Sequence, residues 1–84
     1  MSDFDEPLSA FLIDLGAKIR AARKARGLSQ RALATAMRID RANVRKYEKG
    51  QLNVGSETLL KIATALDADL RIEFVIGPTD EPPK

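Results

Sequence analysis

Apolar residues recur at three- and four-residue intervals along most of this chain. From Leu8 to Arg26 the positions Phe11, Leu12, Leu15, Ile19 and Ala22 share one face of a helix, and Gly27 is placed to stop it. Ser29 is a good N-cap for a second helix through Met37, with Leu33, Ala34 and Met37 facing inward. Its alanines, Ala32, Ala34 and Ala36, let a neighbouring helix approach closely. Asp40 is expected to cap a third helix that runs to about Lys49, buries Val44 and Tyr47, and ends at Gly50. After a polar connection, Ser56 is expected to cap a fourth helix that directs Leu59, Leu60, Ile62, Ala63 and Leu66 inward.

One segment breaks the helical period. Residues 70–76, Leu-Arg-Ile-Glu-Phe-Val-Ile, begin by alternating apolar and polar positions. They are rich in β-branched and aromatic residues and lie between Asp67/Asp69 and Gly77-Pro78, which predicts a strand. A lone strand leaves backbone donors and acceptors unpaired and its Leu70, Ile72, Phe74, Ile76 face half covered. The simplest partner is the same segment of a second copy, paired antiparallel across a two-fold axis to fix a homodimer. The alternatives are an extended arm lying over its own helices, or a continuation of the fourth helix.

The fold class is therefore mainly α, with one C-terminal strand. At 84 residues the chain holds one domain. Residues 1–7 read as a mobile acidic N-terminus, 8–67 as the helical domain, 68–77 as the strand for dimerisation and 78–84, with three prolines, as a disordered tail. There are no cysteines and no histidines, which removes thiolate nucleophiles, imidazole bases, disulfides and the usual zinc sites. Asp67 and Asp69 read as polar punctuation before the strand rather than as a metal pair, so no metal, no cofactor and no enzymatic activity are expected. The longest apolar runs, Phe11-Leu12-Ile13 and Phe74-Val75-Ile76, are far too short to span a membrane. The acidic start is unlike a secretory signal, and a soluble, cytoplasmic protein is expected.

The net charge of +2 conceals a strong segregation. Residues 16–50 carry eleven Lys and Arg against Asp40 and Glu48, a local charge of +9, while residues 1–15 sum to −4 and 51–84 to −3. Any one of these cations could simply solvate a helix; eleven against two suggests a face that meets a polyanion. The third helix starts polar and basic with Asp40, Arg41, Ala42, Asn43, Arg45 and Lys46, as a helix that enters a DNA groove must.

Residues 19–30, Ile-Arg-Ala-Ala-Arg-Lys-Ala-Arg-Gly-Leu-Ser-Gln, together with Leu33-Ala34, Ile39-Asp40, Val44, Tyr47-Glu48-Lys49-Gly50 and residues 58–66, Thr-Leu-Leu-Lys-Ile-Ala-Thr-Ala-Leu, resemble the XRE-type (Cro/cI, lambda-repressor-like) helix-turn-helix family. The resemblance spans roughly residues 12–67. It implies a compact bundle of four or five helices and a sequence-specific transcription repressor that binds double-stranded DNA, to which the predicted strand adds a homodimer.

Carried onto these residues, the resemblance gives Gln30 a contact to a phosphate and to the recognition helix, with Arg31 beside it. It places Arg41, Ala42, Asn43, Arg45 and Lys46 toward the major groove. Arg41 and then Arg45 suit guanine, Asn43 suits adenine or backbone, and Ala42 suits a thymine methyl. Lys46, Lys49, Gln51, Asn53 and the helix start at Ser56 are implied phosphate contacts. Arg23 and Glu48 correspond to a buried ion pair that ties the first helix to the third. Two positions depart from the family: Arg38 stands where a positive-φ glycine is usual, and the loop at residues 51–55 lacks the common proline. The predicted strand makes the chain look like antitoxins of the HipB and HigA kind, which repress their own operon as dimers. This implies, as an alternative role, a protein-interaction module that also neutralises a partner toxin.

Overall fold

A computed structural model describes residues 3–77 and contains four helices among them: α1 (Asp5–Ala25), α2 (Gln30–Met37), α3 (Arg41–Glu48) and α4 (Ser56–Ala65). α1 packs on α3, and α2 packs on both α3 and α4. Their shared interior is Ile19, Leu33, Ala34, Met37, Val44, Val54, Ile62 and Leu66. Leu33 and Val44, each 1% exposed, sit at its centre.

α1 begins three residues earlier than the sequence suggested. Asp5, Glu6 and Pro7 are helical, not part of a mobile terminus. Two carboxylates in the first turn suit the positive end of the helix, and a proline there removes no hydrogen bond, because the first helical donor is Leu8 N–H to Phe4 O at 2.8 Å. The helix consequently overshoots the bundle, and Phe11 is 60% exposed rather than inward. Leu60 is likewise 58% exposed, on the wall of an open groove between α4 and the end of α2.

All four helices close with the same pair of backbone bonds, in which a left-handed residue donates to the carbonyl three residues back and the next residue donates five back: Leu28 to Arg23, Ile39 to Ala34, Gln51 to Lys46 and Ala68 to Ala63, at 2.9–3.1 Å. The residue in the left-handed region is glycine twice and non-glycine twice: Gly27, Gly50, Arg38 (φ 57°) and Asp67 (φ 50°). The starts differ more. Ser29 Oγ accepts from Ala32 N–H at 3.0 Å as expected. Asp40 occupies the N-cap of α3 but its side chain accepts no capping bond, and at α4 the N-cap is Gly55, with Ser56 the first helical residue.

Two glycines permit the close contact of α1 with the end of α3. A Cβ on Gly16 would stand 2.5 Å from Tyr47 O and 2.6 Å from Glu48 O. At Gly50, which also has φ +73°, it would stand 2.7 Å from the Ile13 backbone.

Beyond α4 the residues from Ala68 to Gly77 form neither helix nor strand, and no strand is paired among the described residues. The segment neither continues α4, which the left-handed Asp67 terminates, nor folds over the bundle: Ile72 and Phe74 are 71% and 93% exposed. The tail expected at residues 78–84 lies outside the described residues. No helix among the described residues is long and apolar enough to cross a membrane.

Candidate nucleic-acid interface

The site is organised around one buried ion pair. Arg23 on α1 and Glu48 at the end of α3 are 7% and 9% exposed and meet in a two-pronged bridge, Nε to Oε2 at 2.6 Å and Nη2 to Oε1 at 3.0 Å. The remaining Arg23 nitrogen, Nη1, donates to Leu28 O at 2.8 Å, and Gln30 Nε2 donates to Glu48 Oε1 at 3.2 Å. Hydrogen bonding to Glu48 is the largest influence on Arg23 and raises its pKa above the ordinary guanidinium range; burial opposes this, and the Glu48 charge adds to it. Gln30 thus reaches the third helix, as the family resemblance implied, and the network clamps α1, the start of α2 and the end of α3 together.

That clamp fixes how α3 is turned. Val44 and Glu48, four residues apart, face inward, and Arg41, Ala42, Arg45 and Lys46 face out. Asn43 is half-buried, and Lys49, Gln51, Asn53 and Ser56 are exposed. An open cleft of about 750 Å³ runs between α2 and α3 and gathers Gln30, Arg31, Arg41, Arg45 and Lys49 along its walls, with the Arg23–Glu48 pair at its floor. Ala42, Asn43, Lys46, Gln51, Asn53 and Ser56 do not line it.

Arg20 of α1 also lines this cleft and was missed from sequence. The available signal was its position one turn before Arg23, because the face that carries Arg23 to α3 brings Arg20 to the rim. Three other cations in the basic segment are engaged within the chain instead. Arg23 is buried, Lys18 bonds Asp14 at 2.9 Å, and Arg26 donates to Leu66 O at 2.7 Å and to Asp67 O, covering the carbonyl end of α4. The other eight have no ion-pair partner among the described residues. No cluster of His, Cys, Asp or Glu able to hold a metal is present among those residues.

A short helix clamped behind a second one, with its outer face polar and basic, is the architecture of a helix-turn-helix domain. The chain belongs to the XRE-type helix-turn-helix family, whose model, described as "Helix-turn-helix", matches residues 19–72. It is 34% identical over 68 residues to an uncharacterised HTH-type transcriptional regulator of Sinorhizobium medicae (strain WSM419), covering 81% of this chain and 49% of that protein. The uncharacterised HTH-type transcriptional regulator R00410 of Rhizobium meliloti (strain 1021) matches to the same extent. The chain therefore spans about half the length of the curated relatives it matches. Among solved structures it is similar to the restriction-modification controller protein C.AhdI from Aeromonas hydrophila, with TM-score 0.69 and 45% identity over 71% of this chain and 91% of that one. It is also similar to the clp gene regulator ClgR from C. glutamicum, with TM-score 0.66 and 35% identity over 68% of this chain and 74% of that one.

Proposed function

We propose that this chain is a sequence-specific DNA-binding regulator of transcription, a dimeric repressor that inserts α3 into the major groove of each half of an inverted repeat. The observation that carries this is the unpaired cationic face: Arg31, Arg41, Arg45, Lys46 and Lys49 are all exposed, and none is neutralised by a carboxylate of the described chain. Cations held on a rigid frame without internal counter-charges favour a regularly spaced polyanion.

In this reading Arg41 and Arg45 read base edges, Asn43 and Ala42 adjust the fit, and Gln30, Arg31, Lys46, Lys49, Gln51, Asn53 and the start of α4 hold phosphates. A dimer built through the C-terminal arm would set the two α3 helices about 34 Å apart, in successive major grooves on one side of the duplex. Occlusion of polymerase then gives repression. Regulators of this family include a restriction-modification controller at 45% identity, so genes of that kind are the first place to seek an operator.

Salt titration of binding to duplex DNA tests the proposal. With about four to six phosphates neutralised per protomer, log affinity should fall against log salt with a slope of about −0.9 per phosphate. A protein that shows no duplex affinity at low salt is not a DNA-binding regulator. The exposed apolar arm favours a second reading, the toxin-binding module, in which a protein partner covers residues 70–76. Co-purification of a stoichiometric partner that masks the arm without displacing DNA would support it.

A further inference from the structure

The arm after α4 is an edge with nothing paired to it. Ala68 N–H completes the α4 cap, and from Asp69 to Gly77 the backbone is neither helix nor strand and makes no hydrogen bond within the described chain. Its apolar side chains grow more exposed with distance from the bundle, from Leu70 at 39% to Phe74 at 93%. Leu70 is the anchor: with Leu15 and Ala22 of α1 and Leu59 and Leu66 of α4 it lines a shallow apolar groove.

We propose that two copies of this chain pair these arms as an antiparallel ribbon whose two-fold axis passes through Ile72, so that each Arg71 faces the partner's Glu73. The inference rests on the dimer reading above and assigns a register which that reading leaves open.

Directly opposite residues of an antiparallel pair point to the same face. Apolar residues therefore meet apolar ones only if the axis passes through a residue; an axis between Ile72 and Glu73 would oppose those two and mix the faces. An axis at Arg71 sets that guanidinium against its own copy and Glu73 against Asp69, whereas an axis at Glu73 brings two carboxylates together. At Phe74 neither charge is matched, because Glu73 meets Val75 and Arg71 meets Gly77. Leu70 offers Arg71 with Asp69, but it sets Glu73 against Asp67 and Phe74 against Leu66, and both of those opposing residues are held in the α4 cap.

With the axis at Ile72, the polar face carries two Arg71–Glu73 pairs and, at its ends, sets each Asp69 opposite the partner's Val75. The apolar face carries Ile72 on its own copy and Leu70 against the partner's Phe74 twice. Neither Arg71 nor Glu73 has an ion-pair partner within the described residues of its own chain. The same register brings each Phe74 ring opposite Leu70, at the mouth of the groove between α1 and α4, where it shields apolar surface that the monomer leaves in water.

The chain has no cysteine, so single-cysteine variants report without background. Arg71→Cys, Ile72→Cys, Glu73→Cys and Phe74→Cys would each be oxidised in the absence of DNA and resolved on non-reducing gels. Opposite strand positions lie about 4.5–5.5 Å apart at Cα, within the roughly 4.4–6.8 Å a disulfide accepts. Among the four, Ile72→Cys alone should cross-link to completion, and an equal mixture of Arg71→Cys and Glu73→Cys should give a mixed dimer. Cross-linking that peaks at residue 71, 73 or 74 overturns the register and leaves an arm-paired dimer standing. A monomer in sedimentation, with no cross-link at any position, overturns the arm dimer itself.

Charge reversal provides the second test. Arg71→Glu and Glu73→Arg should each weaken dimerisation about tenfold, and the double reversal should restore it to within about twofold. A double variant as weak as either single one refutes the Arg71–Glu73 pairing.

Discussion

Glu48→Ala is the most informative perturbation of this fold. The substitution removes both oxygens that receive Arg23, leaving that guanidinium buried with a single remaining acceptor, Leu28 O at 2.8 Å, and it strips Gln30 of its partner. Because the pair is 7% and 9% exposed, little water reaches it from the cleft above, and the truncated side chain leaves the guanidinium short of an acceptor. Breaking one side of such a pair costs about 3–5 kcal/mol, a large share of the roughly 5–15 kcal/mol available to a small domain. A domain of this size loses about 4–8 °C of Tm per kcal/mol, so the variant should melt at least about 12 °C lower.

Urea unfolding followed by helical circular dichroism measures the cost directly. Two controls separate a buried charge from lost packing. Glu48→Gln keeps the shape and should fall between wild type and Glu48→Ala. Arg23→Met combined with Glu48→Leu removes both charges and should recover most of the loss, because an apolar pair of similar volume is often as stable as a buried bridge. The pH dependence has a definite sign. The Arg23 pKa is raised in the fold, so its contribution is fully present below the unfolded guanidinium value and is lost only as pH rises through the still higher folded value. The stability gap between wild type and Glu48→Ala should therefore not shrink between pH 7 and pH 10. A cost below about 1 kcal/mol, the range of an exposed pair, would refute the clamp.

Three further outcomes are expected. Gly16→Ala should destabilise the fold by about 1–3 kcal/mol in urea, since its methyl meets backbone oxygen of α3 that cannot move aside, and no loss would mean that α1 and α3 are further apart than described. Arg38→Gly should stabilise by about 0.5–1 kcal/mol, the relief of a left-handed non-glycine residue less the extra freedom of the unfolded chain. Arg41→Ala should weaken a selected operator about ten- to a hundredfold while sparing random duplex, whereas Lys49→Ala should weaken both alike and lower the salt slope by about one; equal patterns would contradict the assigned roles.

Much of the frame was legible because it is local or pairwise. The Ser29 cap, the core residues Leu33, Val44 and Ile62, the inward Arg23–Glu48 pair and the positive φ at Arg38 all follow from spacing or from the family resemblance, and the structure places them so. What failed needed knowledge of neighbours. Phe11 and Leu60 have the right period but stay exposed, Leu60 on the wall of an open groove between α4 and the end of α2 that no further side chain fills. Arg26 counted toward a basic surface, yet its guanidinium covers carbonyls forty residues away, a contact that no charge count reveals. Gly55 took the α4 cap from Ser56 because that choice depends on backbone angles, and both residues are acceptable there.

The division of labour within α3 shows how so small a domain can change what it binds without changing how it folds. Eight residues are too few to hold a helix alone, so its shape depends on what it packs against. Val44 enters the core midway and Glu48 locks onto Arg23 at the far end, which fixes both position and rotation and leaves Arg41, Ala42, Arg45 and Lys46 bearing no structural contact that limits their identity. Stability and recognition should therefore separate cleanly on one side of the helix and not on the other. Substitutions at 41, 42, 45 and 46 should leave the urea midpoint within about 0.5 kcal/mol of wild type while altering DNA preference. Glu48→Gln, which touches no surface cation, should lower DNA affinity even where the protein is fully folded, because a looser clamp lets α3 turn. If Glu48→Gln bound DNA as tightly as wild type, the clamp would serve stability alone, and the aim of α3 would have to be set by Val44 and the two turns that flank it.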